Sequence, residues 1–123
     1  ALNDSKYIGS DIWGFFKNKV QDYCVDKEYR NMLVIITDGY IFYEDSNFNE
    51  GNLSTYITPQ KIRSKGLTKA NWKEIIESKK HGFIPINQDL SDLEVLVLGV
   101  NPSNSKQNFY DYDILKKYWS DWL

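Results

Sequence analysis

The chain has 123 residues, 41% hydrophobic and 26% charged, an ordinary makeup for one globular domain large enough to bury a core. Net charge is −2 and the basic residues are scattered, which argues against a nucleic-acid surface, because phosphate binding needs concentrated positive charge. One cysteine, Cys24, excludes an internal disulfide, and no apolar run reaches the ~18 residues that cross a bilayer.

In chain order, residues 10–25 place Ile12, Trp13, Phe16, Val20, Tyr23 and Cys24 on one helical face. Ser10 or Asp11 can cap its start, and Gly14 weakens it. Residues 32–37, MLVIIT, are a continuous apolar run, as in a strand covered on both faces. Residues 40–44 could extend it or form a hairpin arm. From 45 to 66 the chain turns polar and reads as a long loop with one helical turn after Pro59. Residues 68–80 predict a helix capped by Thr68, stapled by Leu67 and Trp72, and closed by a left-handed Gly82. Phe83 to Ile86 is a short extended piece limited by Pro85. Residues 93–100, LEVLVLGV, predict a second buried strand, and 111–123 a last helix with Leu115, Tyr118, Trp119 and Trp122 inward. Both ends read as cuts from something longer.

Two buried strands separated by a helix imply parallel crossovers, hence an α/β fold: a Rossmann-like layered arrangement with a small, mostly parallel sheet flanked by helices. Such a sheet is thin for this much apolar surface. The domain could be half of a larger doubly wound sheet, or a homodimer could complete it.

Ligands bind such sheets outside the carboxyl ends of the strands. Asp38-Gly39 follows the first strand, Asn101-Pro102-Ser103-Asn104-Ser105 follows the second, and Ile8-Gly9-Ser10-Asp11 precedes the first helix. Asp38, Ser10 and the later hydroxyls are hard oxygen donors, suited to Mg, Mn or Ca. Each also has a plain structural explanation: Asp-Gly as a turn, Ser-Asp as a helix cap.

Together these motifs resemble the later part of a von Willebrand factor A-type domain. The matching residues are Gly9-Ser10-Asp11-Ile12 before a helix, then Leu33-Val34-Ile35-Ile36-Thr37-Asp38-Gly39 as a central strand and its turn. The likeness runs over roughly residues 8–123. It implies a single domain over 1–123, or the C-terminal part of one, that binds proteins rather than catalysing a reaction. It further implies a divalent-cation site using Ser10 and Asp38, where the metal takes a carboxylate from the partner. The family's first metal loop, Asp-x-Ser-x-Ser, is not in this sequence, so the site would be incomplete. Asn101, Ser103 and Ser105 repeat that loop's spacing with Asn in place of Asp, and are the alternative donors. The aromatic stretch beginning Tyr40, Phe42 and Tyr43 is the expected partner-binding surface.

Other chemistries fit less well. A haloacid-dehalogenase-type nucleophile would fall at Ile36, which cannot serve. No phosphate-cradling glycine loop follows either strand. His81, the sole histidine, sits at a helix end where a cation suits the dipole, and Cys24 sits on an apolar face. The alternatives are a hydrolase or transferase with Asp38 as acid/base, and a scaffold with no site in which Asp38 only shapes a turn.

Overall fold

The structure is a computed structural model and describes residues 8–102 and 109–123. The first helical segment forms in two pieces, α1 (Ile12–Asn18) and α2 (Val20–Cys24), because Lys19 leaves the helical region at φ −128°. Asp11, not Ser10, caps it: the Asp11 carboxylate accepts from the Gly14 N–H at 3.0 Å. Trp13, Phe16 and Val20 are buried, as their spacing predicts. The Trp13 indole donates to the Ile84 carbonyl at 2.9 Å, which fixes α1 against the middle of the chain.

The first apolar run is β1 (Asn31–Ile36). The polar stretch after it is not a long loop. It contains β2 (Asn49–Glu50), β3 (Leu53–Ser54) and α3 (Pro59–Ser64). Side chains substitute for a longer ladder there. The Thr55 hydroxyl, buried, accepts from the Phe48 N–H at 3.1 Å and donates to the Ser46 carbonyl at 3.3 Å. Thr58 caps α3 by accepting from the Lys61 N–H at 3.2 Å, with Pro59 at the first helical position, where its missing N–H costs nothing.

The next helix, α4 (Trp72–Lys79), is shorter than predicted. It starts after Asn71 rather than Thr68, and Asn71 makes no side-chain cap. The left-handed closing residue is Lys80, at φ 56°, not Gly82. Gly82 is instead the first residue of β4 (Gly82–Phe83), which adds in parallel to β3 and makes a three-stranded sheet in the order β2-β3-β4. The second apolar run is β5 (Leu93–Leu98), and the chain closes with α5 (Asp111–Trp122).

β1 and β5 pair in parallel, from Asn31 opposite Leu93 to Ile36 opposite Leu98. The element order and the small, mostly parallel sheets place the chain in the α/β class. The core lies on one side of the β1–β5 pair, where Leu33, Ile35, Val95 and Val97 pack against the buried cluster. α5 contributes Ile114, Leu115, Tyr118 and Trp119 to that cluster. Phe83 of β4 meets Tyr118 edge-on, with ring centroids 5.2 Å apart.

The other side of the pair is open, which corrects the expectation of two covered faces. Met32, Val34, Ile36, Leu96 and Leu98 all point there, and Ile36 is 83% exposed. A strand with one covered face ordinarily alternates apolar and polar residues, and these two strands carry apolar residues on the open face as well. Among the described residues the helices lie against only one of them.

Candidate functional site

The β1–β5 hydrogen bonding continues past the strand ends and draws the two following loops together. The Thr37 N–H donates to the Leu98 carbonyl at 2.9 Å, and the Asn101 N–H donates to the Asp38 carbonyl at 3.0 Å. Asp38 then forms a turn: its carboxylate accepts from the Tyr40 N–H at 3.0 Å, while the Thr37 hydroxyl accepts from the Gly39 N–H at 3.1 Å. This is the turn chemistry that an Asp-Gly pair predicts. The Trp119 indole of α5 clamps the turn by donating to the Gly39 carbonyl at 2.9 Å.

The Gly-Ser-Asp loop is held beside this turn. Ser10 N–H donates to the Phe42 carbonyl and Glu44 N–H to the Ile8 carbonyl, both at 2.9 Å. Gly9 has φ +81°, and a Cβ there would lie 1.9 Å from the Phe42 oxygen. Only glycine permits this approach. Ser10 and Asp38 therefore come together, lining one cavity of about 140 Å³ with Thr37, Tyr40 and Phe42.

A larger cleft of about 580 Å³ opens on the same side. Its walls are Asp38, Tyr40, Phe42, Tyr56, Thr58, Pro59, Gln60 and Asn101. The alternation of the segment after Gly39 sends Tyr40 and Phe42 to the cleft and Ile41 into the core, where it bridges to Ile57. Phe42 and Tyr56 meet edge-on, with centroids 6.1 Å apart. The Tyr40 hydroxyl donates to Asp111 at 2.6 Å. Asp111 is buried at the start of α5, and burial pushes its carboxyl pKa up while the Tyr40 bond pulls it back down. That bond fixes the Tyr40 ring in the cleft wall.

The predicted residues thus have different placements. Asp38, Tyr40, Phe42 and Asn101 line the cleft, and Ser10 lies next to it. Tyr43 is not a cleft wall. Its hydroxyl donates to Asp45 at 3.1 Å, which pushes its pKa up. Ser103 and Ser105 lie outside the described residues. Sequence reasoning placed a helical turn after Pro59 but did not assign Thr58, Pro59 and Gln60 to the site.

The donor set does not fit a hard cation on its own. Such ions take six or more oxygens, with carboxylates carrying most of the charge. Among the described residues the cavity offers one carboxylate, already accepting from the Tyr40 N–H, and three hydroxyls, of which Thr37 accepts from the Gly39 N–H and Tyr40 donates to Asp111. No three His, Cys, Asp or Glu side chains gather to hold a metal among the described residues.

His81 is buried rather than at the surface. Its Nδ1 lies 3.4 Å from the Asn52 carbonyl, while its backbone N–H closes α4 on the Ile76 carbonyl. Burial, then the charges of Lys65, Lys79 and Lys61, holds its pKa below the usual imidazole value. A depressed folded-state pKa means that the unfolded chain takes the proton first. The stability linked to His81 is therefore present above about pH 6.5 and lost as pH falls below it. His81→Gln should flatten this part of the profile. Urea midpoints at pH 7.5 and 5.5 should fall further apart in the wild type than in the variant.

Comparison with protein-family models, with curated proteins and with solved structures finds no match in any of the three. The resemblance to von Willebrand A-type domains rests on the short motifs alone.

Proposed function

We propose that the chain is a non-enzymatic binding module with a Rossmann-like, von Willebrand A-like layout, and that it takes a protein segment in the strand-end cleft. The observation that carries this reading is the cleft wall itself. Three aromatic rings and a proline surround a single carboxylate, on backbone pinned by Trp119 and by the Gly9 approach. Aromatic walls with a few polar groups suit an extended peptide, whose apolar side chains insert between the rings. Asp38 at one end favours a basic residue in that peptide, both by charge and because cations sit well beside aromatic faces.

The residues lining the cleft favour binding over catalysis. Among the described residues of the cleft wall Asp38 has no histidine, cysteine or lysine beside it, and so no paired group of the kind that acid/base or nucleophilic chemistry requires. Binding here needs no metal. Ser10 and Asp38 would contribute to a cation site only alongside further donors, which the described residues of this cavity do not supply.

Selection of peptides from a displayed random library on the wild-type protein tests the reading. The enriched sequences should combine a basic residue with an apolar or aromatic one. Asp38→Asn keeps the turn but removes the charge, and should weaken binding roughly 5- to 10-fold, the worth of one charge-assisted contact. Phe42→Leu should weaken it further. Peptides that bind both variants as tightly as wild type would sink the assignment.

A further inference from the structure

A second cavity adjoins the aromatic cleft and has different chemistry. It holds about 430 Å³, and Asn49, Tyr56, Gln60, Lys61, Ser64 and Lys65 are among its walls. Lys61 is the unusual member. Only 8% of the residue is exposed, yet no carboxylate pairs with it among the described residues. Its ammonium donates to the Asn49 side-chain carbonyl and lies 3.9 Å from the Tyr56 ring centroid. A buried ammonium without a counter-charge is costly, and neutral partners offset that only in part. Lys65 lies one helical turn further on and lines the same cavity, so two like charges stand at i and i+4, an arrangement that by itself destabilises a helix.

We propose that this cavity binds a phosphate-type dianion, held between Lys61 and Lys65. Two ammonium groups a turn apart match a double negative charge better than a single carboxylate, and a phosphate monoester carries about −1.5 to −2 near neutral pH. The Gln60 amide lines the same space and can serve a further phosphate oxygen, whereas the Ser64 hydroxyl there already donates to the Lys61 carbonyl at 2.8 Å. The two lysines are among the causes that shift neighbouring titratable groups. Asn49 first, then Lys61 and Lys65, pull the Tyr56 hydroxyl pKa down against the effect of its burial. Lys65 and Lys61 both contribute to the depressed His81 pKa, after its burial. Neither Lys61 nor Lys65 lines the aromatic cleft, so the two lysines distinguish this site from the peptide-binding reading although Tyr56, Thr58 and Gln60 line both cavities.

The test is a titration of the purified chain with inorganic phosphate, with chloride and acetate at matched ionic strength as comparisons. Thermal unfolding and amide chemical shifts report the binding. Phosphate stabilises many proteins by exclusion from their surface, so the readout is the difference between wild type and variants. Wild type should show saturable shifts at Asn49 and at residues 60–65, and a rise in melting temperature beyond the chloride series. Lys65→Gln, on a partly exposed residue, should weaken the phosphate response roughly 5- to 10-fold. Lys61→Met should abolish it while the domain stays folded, because apolar replacement of a buried charge is often neutral or stabilising. If Lys61→Met does not fold, Lys65→Gln and the shift map decide. A wild-type response no greater than in chloride, or one unchanged in the folded variants, would overturn the proposal. An equal response to acetate would overturn the dianion assignment.

Discussion

Trp119→Ala is expected to cost about 3–5 kcal/mol of stability, the range for removing a large aromatic side chain from a packed core. Trp119 is 5% exposed and packs against both Phe83 and Trp122, with ring centroids 6.2 and 5.7 Å away. Its indole N–H also holds the Gly39 carbonyl at 2.9 Å, so truncation leaves an acceptor unpaired at the turn that sets Asp38. Trp119→Phe separates these effects. It keeps most of the packing and loses the hydrogen bond, at about 1–2 kcal/mol. Urea unfolding measures both losses. In the phenylalanine variant, amide shifts should concentrate at residues 37–40, because the released group lies there. A loss under 1 kcal/mol for alanine would mean that α5 is not part of the core.

Gly9→Ala is the second large effect, and its cause is backbone rather than core. The added Cβ would meet the Phe42 oxygen at 1.9 Å, and the residue is at φ +81°. Neither problem can be relieved by turning a side chain, so the 8–10 segment must pull away from 42–44. The expected cost is about 2–4 kcal/mol, as for a strained φ with a backbone clash added. Gly66→Ala is the control. It also has positive φ, at +72°, but nothing lies within 4 Å of its Cβ position. It should cost only about 1 kcal/mol. Equal costs at the two sites would show that the docking of Gly9 on Phe42 carries no stability.

These two variants act on the features that the sequence made partly legible. The apolar runs at 32–37 and 93–100 identified both long strands within two residues of their observed ends, because β-branched runs of that length have few alternatives. The loops that bring Ser10, Asp38 and Asn101 together followed from strand-end geometry. The open sheet face did not, since a strand with one covered face ordinarily alternates, and these two carry apolar residues on both faces. The polar 45–66 stretch hid two short strands, while the helix after Pro59 formed where it was expected. Its order comes from Ser54 and Thr55 buried with satisfied hydroxyls and from the Thr58 cap, and such polar side chains read from sequence as loop. Tyr56 could be placed in the aromatic surface, but the burial of Lys61 under it could not, because lysine is ordinarily exposed.

The central claim is that the strand-end cleft is the surface this chain uses for binding. Chemical-shift mapping with one library-selected peptide tests it most directly, since two surfaces compete: the cleft and the exposed apolar face of the β1–β5 sheet. The largest shifts should fall on Asp38, Tyr40, Phe42, Tyr56, Gln60 and Asn101. Shifts centred on Met32, Val34, Ile36, Leu96 and Leu98, with the cleft residues unmoved, would contradict it.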